Sequence, residues 1–241
     1  MHRVEHVMGM PIVVAVPGAA PPGPVDEVYD WFRWVDAVFS TYKPDSEVSR
    51  IGRGELAPAD AHPLVREVFD RCEELRAETR GYFDARVASG LAFDPTGLVK
   101  GWSVDRAVEI LERAGIAEYA VNAGGDMRVG GGTWRLGIQH PWERRAVARV
   151  FVATQVAVAT SGEYARGRHV TDPHTGQAPD GLLSVTVTGP DLATADAYAT
   201  AAFAMGAERA PGWLARLRGF DALAILAGGR LLATPRFPAA A

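Results

Sequence analysis

The chain has 241 residues, of which 48% are hydrophobic and 22% are charged, a composition typical of a globular protein with a sizeable core. Its net charge is −4 and its charged residues are interspersed, so we expect no basic surface for nucleic acid. The single cysteine, Cys72, excludes an internal disulfide. No apolar run approaches the roughly 20 residues that a membrane-spanning helix needs, which argues against insertion into a membrane.

The N-terminal segment MPIVVAVPGAAPPG, residues 10–23, could be a strand or part of an export signal. Pro11 interrupts its apolar run, and Glu5 lies where an export signal carries basic residues. The sequence therefore favours a strand, and we expect a cytoplasmic protein.

Further elements follow in chain order. Helical spacing of apolar residues predicts helices in residues 25–42, 62–81, 101–114 and 194–206, and a short helical segment in residues 212–219. Alternating or β-branched apolar runs between glycine-rich turns predict strands in residues 117–126, 134–140, 148–160 and 182–189, and a terminal hairpin in residues 220–235. This order lacks the regular alternation of a dinucleotide-binding fold. We expect a single α+β domain over residues 1–241, with mixed, largely antiparallel sheets and packed helices.

The alanine-rich helix TADAYATAAFAMG carries two polar residues, Asp196 and Thr200, spaced four apart and therefore on one face. Two interpretations are open. Asp196 could cap the helix while Thr200 bonds to a carbonyl one turn earlier. Alternatively, the pair could form half of a metal site.

The segment FDPTGLVKGWSVD places Asp94, Gly97, Lys100 and Gly101 where a loop runs into the third predicted helix. Glycines allow close backbone approach, lysine supplies a positive charge, and a helix N-terminus favours anions, so this segment could bind phosphate. Its spacing does not match a Walker A loop. The alternative is a structural turn with a solvated lysine.

Two further polar segments have weaker signals. NAGGDMRVGGG leads from one strand into another, which indicates a tight turn rather than a dinucleotide-binding loop. In SGEYARGRHVTDPHTG, His169 and His174 lie too close together in a non-helical segment to indicate a zinc pair, and no cysteine joins them.

Taken in order, the blocks MGM, STYKPDSEVSRI, GYFD, DPTGLVKGWSVDRA, NAGGD, SGEYARGRHVTDPHTG and ADAYATAAFAMG resemble those of the ApbE family of FAD:protein FMN transferases. The resemblance covers essentially the whole chain. It implies an ApbE-like, T-fold-like architecture and a magnesium-dependent enzyme. Such an enzyme cleaves the pyrophosphate of FAD, releases AMP and leaves FMN on a threonine or serine of an acceptor protein.

The same resemblance assigns roles to individual residues. The implied metal ligands are Asp196, Thr200 and the backbone carbonyl of Gly97. Magnesium prefers oxygen ligands and keeps waters and substrate oxygens, so this sparse set suits it better than zinc. The implied FAD-binding residues are Met8, Tyr42, Tyr82, Phe83, Asp84, Asp94, Lys100 and His169. Tyr42 would stack on the flavin ring, and His169 or a metal-bound carboxylate such as Asp196 would act as the general base. Two of these residues have structural alternatives. Phe83 could instead fill the core, and Tyr42 could instead cap the preceding helix.

The chain departs from the family pattern in three places. Met10 replaces a usual threonine, Gly52 replaces a common asparagine, and the segment between GYFD and FDPTG is short. These changes leave two alternatives to transfer: hydrolysis of FAD to FMN and AMP, or flavin binding without turnover.

Overall fold

The computed structural model describes residues 1–18, 21–86, 93–143, 145–162 and 170–241. The helices are α1 (Pro22–Phe39), α2 (Glu47–Gly52), α3 (Pro63–Glu78), α4 (Thr96–Arg113) and α5 (Leu192–Leu214), with a 3-10 turn at Pro58–Asp60. The strands are β1 (His2–Val7), β2 (Met10–Ala15), β3 (Tyr119–Ala123), β4 (Asp126–Gly130), β5 (Trp134–Gln139), β6 (Val147–Ala153), β7 (Val156–Gly162), β8 (Leu182–Gly189), β9 (Asp221–Leu226) and β10 (Leu231–Ala233).

The strands form an eight-stranded sheet in the order β1-β2-β3-β4-β7-β8-β9-β10 and a separate pair, β5-β6. Every pairing is antiparallel. The predicted α+β class with antiparallel sheets is therefore confirmed. Among the described residues, no helix is both long enough and apolar enough to cross a membrane.

The main core lies between one face of the large sheet and helices α1, α4 and α5. On α1, the apolar residues Val28, Phe32 and Val35 are fully buried, as their helical spacing predicts. The opposite face of the sheet is covered by β5 and β6 over a smaller core, in which Phe151 is fully buried and stacks edge-on against Phe237.

Several boundaries differ from the prediction. The third predicted helix begins at Thr96 rather than Gly101, so Gly97 and Lys100 lie within the first turns of α4 instead of in a preceding loop. The run at residues 148–160 is two strands in different sheets, β6 and β7. Strand β1 and helix α2 were not predicted, and the short helical segment at residues 212–219 overlaps the end of α5, which runs to Leu214. The terminal hairpin is confirmed as β9 and β10.

Helices α4 and α5 approach each other unusually closely at Gly101. A β-carbon at this position would lie 2.4 Å from the carbonyl oxygen of Leu192. Only glycine permits this contact, which brings the first turns of α4 against the start of α5. The close approach positions the polar residues of both helices for the site.

Candidate active site

Three charged residues, each from a different element, lie close together where α4, α5 and β4 meet. Lys100 on α4 forms an ion pair with Asp126, the first residue of β4, and its Nζ lies 3.4 Å from Oδ2 of Asp196 on α5. Both carboxylate side chains are almost completely buried, at 3% and 4% exposure, whereas 18% of the Lys100 side chain is exposed. The predicted alternative of a solvated lysine is therefore wrong.

Asp126 is held by the turn that precedes it and by the neighbouring strand. Gly124 and Gly125 form the tight turn between β3 and β4 with φ angles of 61° and 107°, which confirms the turn interpretation of NAGGD. The backbone N–H of Thr160 on β7 donates to Oδ1 of Asp126 at 2.8 Å. One carboxylate oxygen thus anchors Asp126 to the sheet while the other contacts Lys100.

Asp196 lies in the second turn of α5, and other residues fix the start of that helix. Asp191 is the N-cap, and its side chain accepts a hydrogen bond from the N–H of Thr194 at 2.7 Å. The carboxylate of Asp105 accepts hydrogen bonds from the N–H groups of Leu192 and Ala193, at 2.9 and 2.8 Å. The expectation that Asp196 caps the helix is therefore wrong.

Asp105 also forms an ion pair with Arg128, with 2.6 Å between Nη1 and Oδ1. Burial raises the pKa of the Asp105 carboxyl, against the opposing effect of its hydrogen bonds and of Arg128. This network connects α4, β4 and the N-terminus of α5, the three elements that carry Lys100, Asp126 and Asp196.

Thr200 lies one turn after Asp196 on the same helix face. Its hydroxyl lies 3.1 Å from the hydroxyl of Ser161 on β7, within hydrogen-bond distance. This hydrogen bond reaches the sheet rather than a carbonyl one turn earlier. Asp196 and Thr200 therefore both face β4 and β7 at the site.

The charged cluster forms one wall of a cavity of about 180 Å³, which we call the inner cavity. Eight of the predicted site residues line it: Tyr82, Phe83, Asp84, Asp94, Gly97, Lys100, Asp196 and Thr200. A β-carbon on Gly97 would lie 3.2 Å from the ring of Phe83, so the small residue lets α4 pack against that ring. Asp94 accepts a hydrogen bond from the N–H of Thr96 at 3.0 Å and so anchors the start of α4 beside the cavity.

A second cavity of about 410 Å³, the outer cavity, adjoins the inner one. The two share Asp94, Thr96 and Lys100 as lining residues. The outer cavity is lined by the two remaining predicted residues that the structure describes, Met8 and Tyr42. The Tyr42 side chain is 96% exposed, and Ser40 rather than Tyr42 is the C-cap of α1, which argues against the capping alternative.

Two residues that are predicted to contact the flavin also contact other side chains or backbone groups of the protein. Asp84 is 3.2 Å from Nε of Arg76 and accepts a hydrogen bond from the N–H of Arg86 at 2.9 Å. Tyr82 contacts the ring of His174 edge-on, with 4.6 Å between the ring centroids. His169 lies outside the described residues.

Sequence reasoning did not single out Asp126 as a site residue. The signal available was its position directly after the glycine pair in NAGGD, where a turn presents the next side chain at a strand end. In the part of the chain that the structure describes, no three His, Cys, Asp or Glu residues cluster closely enough to hold a metal by themselves. Any metal here would therefore need hydroxyl, carbonyl, water or ligand oxygens in addition to carboxylate oxygens.

Comparison with known proteins gives concordant matches. Residues 8–91 and 86–224 match the ApbE family profile. FAD:protein FMN transferase of Vibrio cholerae is 32% identical over 65% of this chain and 51% of its own length. The enzyme of the same name from Treponema pallidum is 30% identical over 76% of this chain and 59% of its own length. The chain therefore aligns with only about half of the length of these curated relatives.

Solved structures agree in fold. Flavin transferase ApbE of V. cholerae superposes with a TM-score of 0.86 at 24% identity, covering 98% of this chain and 97% of that one. The ApbE protein of Thermotoga maritima gives 0.84 at 22% identity, with the same coverage of both chains. At such identities these likenesses establish the fold alone.

Proposed function

The chain belongs to the ApbE family, and from this we propose that it is a magnesium-dependent FAD:protein FMN transferase. It would cleave FAD, release AMP and attach FMN to a threonine or serine hydroxyl of an acceptor protein. The partners are FAD and that acceptor, and the cofactor is Mg²⁺. The relatives from V. cholerae and T. pallidum are named FAD:protein FMN transferases, which supports this proposal.

The observation that carries the proposal is the position of Lys100. Its ammonium group lies at the junction of two cavities, beside two buried carboxylates and near the N-terminus of α4. A phosphate group at this junction would meet a compact positive charge and the first turn of a helix, both of which favour anions. The pyrophosphate of FAD fits this arrangement.

The residues of the inner cavity also suit a magnesium ion. Asp196 and Thr200 offer a carboxylate and a hydroxyl from one helix face, and Gly97 lines the same cavity. Such oxygen donors are those that magnesium accepts, with the remaining positions left to water and phosphate oxygens. When bound, the metal would neutralise charge on the phosphate that is transferred.

The outer cavity would hold the flavin ring. Tyr42 presents an almost fully exposed ring at its wall, available for stacking without a change in the fold. Met8 lies on the same cavity, in the turn between β1 and β2. With the flavin in the outer cavity, the pyrophosphate would reach Lys100 at the shared wall.

The reaction forms one bond and breaks one. The acceptor hydroxyl oxygen attacks the phosphorus of the FMN half, and the bond from that phosphorus to the bridging oxygen breaks. AMP leaves with the bridging oxygen, while the hydroxyl proton passes to a base, either His169 or Asp196. Lys100 would offset the negative charge on the phosphates throughout.

Nucleotide analysis separates the three candidate activities. The purified protein is incubated with FAD and Mg²⁺, with and without an acceptor, and AMP and free FMN are quantified by chromatography. A transferase releases AMP in step with protein-bound flavin. Equal amounts of free FMN and AMP without acceptor would indicate the hydrolase, and intact FAD under both conditions would indicate a flavin-binding protein.

A further inference from the structure

Lys100 lies where a divalent cation would compete with it. Its Nζ contacts Asp126 and also lies 3.4 Å from Oδ2 of Asp196, a carboxylate that we assign to the metal. We propose that Lys100 is an internal counter-ion that competes with the divalent cation for Asp196. The inference rests on the metal site of the proposed function and assigns Lys100 a second role, in controlling when the metal binds.

Electrostatics favours a cation at this position. Two almost completely buried carboxylates that face one point repel each other and lose hydration, and a nearby positive charge offsets both costs. The ammonium of Lys100 supplies that charge in the metal-free protein. A divalent cation that enters must therefore displace Lys100 from Asp196.

The geometry indicates which contact is displaced. Lys100 lies closer to Asp126 than to Asp196, and Asp126 is additionally anchored to Thr160. We therefore expect Lys100 to keep its contact with Asp126 and to give up the one with Asp196. The lysine is the more exposed member of the cluster and borders both cavities, so its ammonium group can turn toward a phosphate.

This exchange couples the metal to FAD. A phosphate that attracts Lys100 leaves Asp196 available to the metal, and a metal on Asp196 leaves Lys100 available to the phosphate. Because the two binding equilibria are thermodynamically linked, the coupling is reciprocal, and each ligand strengthens the binding of the other. The metal would thus bind weakly to the free protein and more tightly once FAD is present.

The composition of the chain makes the exchange directly observable. Lys43 and Lys100 are the only lysines among 25 basic residues. Lys43 pairs with Asp36 at 2.5 Å and lines the outer cavity, whereas the two carboxylates line the inner one. A sample labelled with ¹⁵N at lysine Nζ therefore gives at most two side-chain signals, and a Lys43→Met variant assigns them.

In the wild-type protein without FAD, titration with Mg²⁺ should shift the Lys100 signal and leave the Lys43 signal in place. Calorimetry under the same conditions reports the affinity. A Mg²⁺ titration that saturates by calorimetry while the Lys100 signal stays unchanged would overturn the inference.

Variants provide the second test. Lys100→Met should bind Mg²⁺ more tightly than wild type, on the order of tenfold or more, because a competing positive charge is gone. Lys43→Met, the matched control, should retain wild-type affinity, and Asp196→Asn should lose binding. If Lys100→Met binds Mg²⁺ as tightly as wild type or more weakly, while Asp196→Asn does not bind it, the competition is contradicted. The assignment of Asp196 to the metal site is then still supported. No binding by any variant, wild type included, contradicts the metal site as well.

Discussion

Gly101 of α4 and Leu192 of α5 are in direct backbone contact, since a β-carbon on Gly101 would lie 2.4 Å from the Leu192 carbonyl oxygen. Lys100 immediately precedes this contact, and Asp196 follows it by one helical turn. The distance between the two charged groups is therefore set by the absence of a side chain at Gly101.

Gly101→Ala should force the two helices apart. We expect a loss of about 1–3 kcal/mol in the free energy of unfolding and a lower metal affinity, because the added methyl group meets backbone atoms that cannot rotate away. Denaturant unfolding and calorimetry measure the two effects. The matched control is Gly212→Ala in α5, a helical glycine where nothing lies within 4 Å of the added β-carbon. Comparable destabilisation by both variants would contradict the argument.

Replacing Tyr42 by alanine should weaken FAD binding by about 1–3 kcal/mol, the range for a base stacked on an aromatic ring. Because the side chain is 96% exposed, the melting temperature should not change. Flavin fluorescence titration gives the affinity, and Tyr42→Phe, which keeps the ring, should bind nearly as well as wild type. Unchanged affinity in the alanine variant would remove Tyr42 from the flavin site.

His169→Gln addresses the identity of the general base. If His169 takes the hydroxyl proton, the variant should bind FAD almost normally, lose roughly 10²–10⁴-fold in turnover and lose the acidic limb of its pH–rate profile. Turnover measured across pH, alongside FAD titration, distinguishes this from a binding role. Weak FAD binding with an unaltered pH profile would assign the base to a group such as Asp196.

Cys72 predicts a pH dependence of stability. Burial raises the pKa of its thiol from 9.0 to about 12, so the unfolded chain loses this proton first as the pH rises. Ionisation then stabilises the unfolded state, and the free energy of unfolding falls between those two pH values. From pH 8 to pH 10 the wild-type protein should lose on the order of 1 kcal/mol more than Cys72→Ala does.

Urea unfolding of both proteins at each pH measures this difference. Comparing the two proteins cancels the contribution of other groups that titrate in the same range. An identical pH dependence in the two proteins would show that the buried thiol is not the source.

The elements that sequence predicts well are those whose signal is local. Helix α1 follows the spacing of Val28, Phe32 and Val35, and the terminal hairpin follows its glycine pair. The boundary between β6 and β7 was missed because the turn at residues 154–155 contains neither glycine nor proline. The true start of α4 was missed because Gly97 and Gly101 lower helix propensity, while their close contacts with other elements favour the helix.

The sequence predicts the part of the site whose residues lie on one element. Asp196 and Thr200 share a helix face, so their spacing alone places them together. Asp126 was missed because its partner, Lys100, comes from a different element, and a long-range ion pair leaves no periodic pattern in the sequence. The resemblance to a family supplied residue blocks, whereas the folded chain supplies the distances between them.

The intact mass of an acceptor protein, after incubation with FAD, Mg²⁺ and the purified chain, tests the central claim most directly. The account predicts an acceptor heavier by one FMN on a threonine or serine, AMP released in equal amount, and neither product with Asp196→Asn. An unmodified acceptor beside stoichiometric free FMN and AMP, or equal flavin transfer by Asp196→Asn, would contradict it.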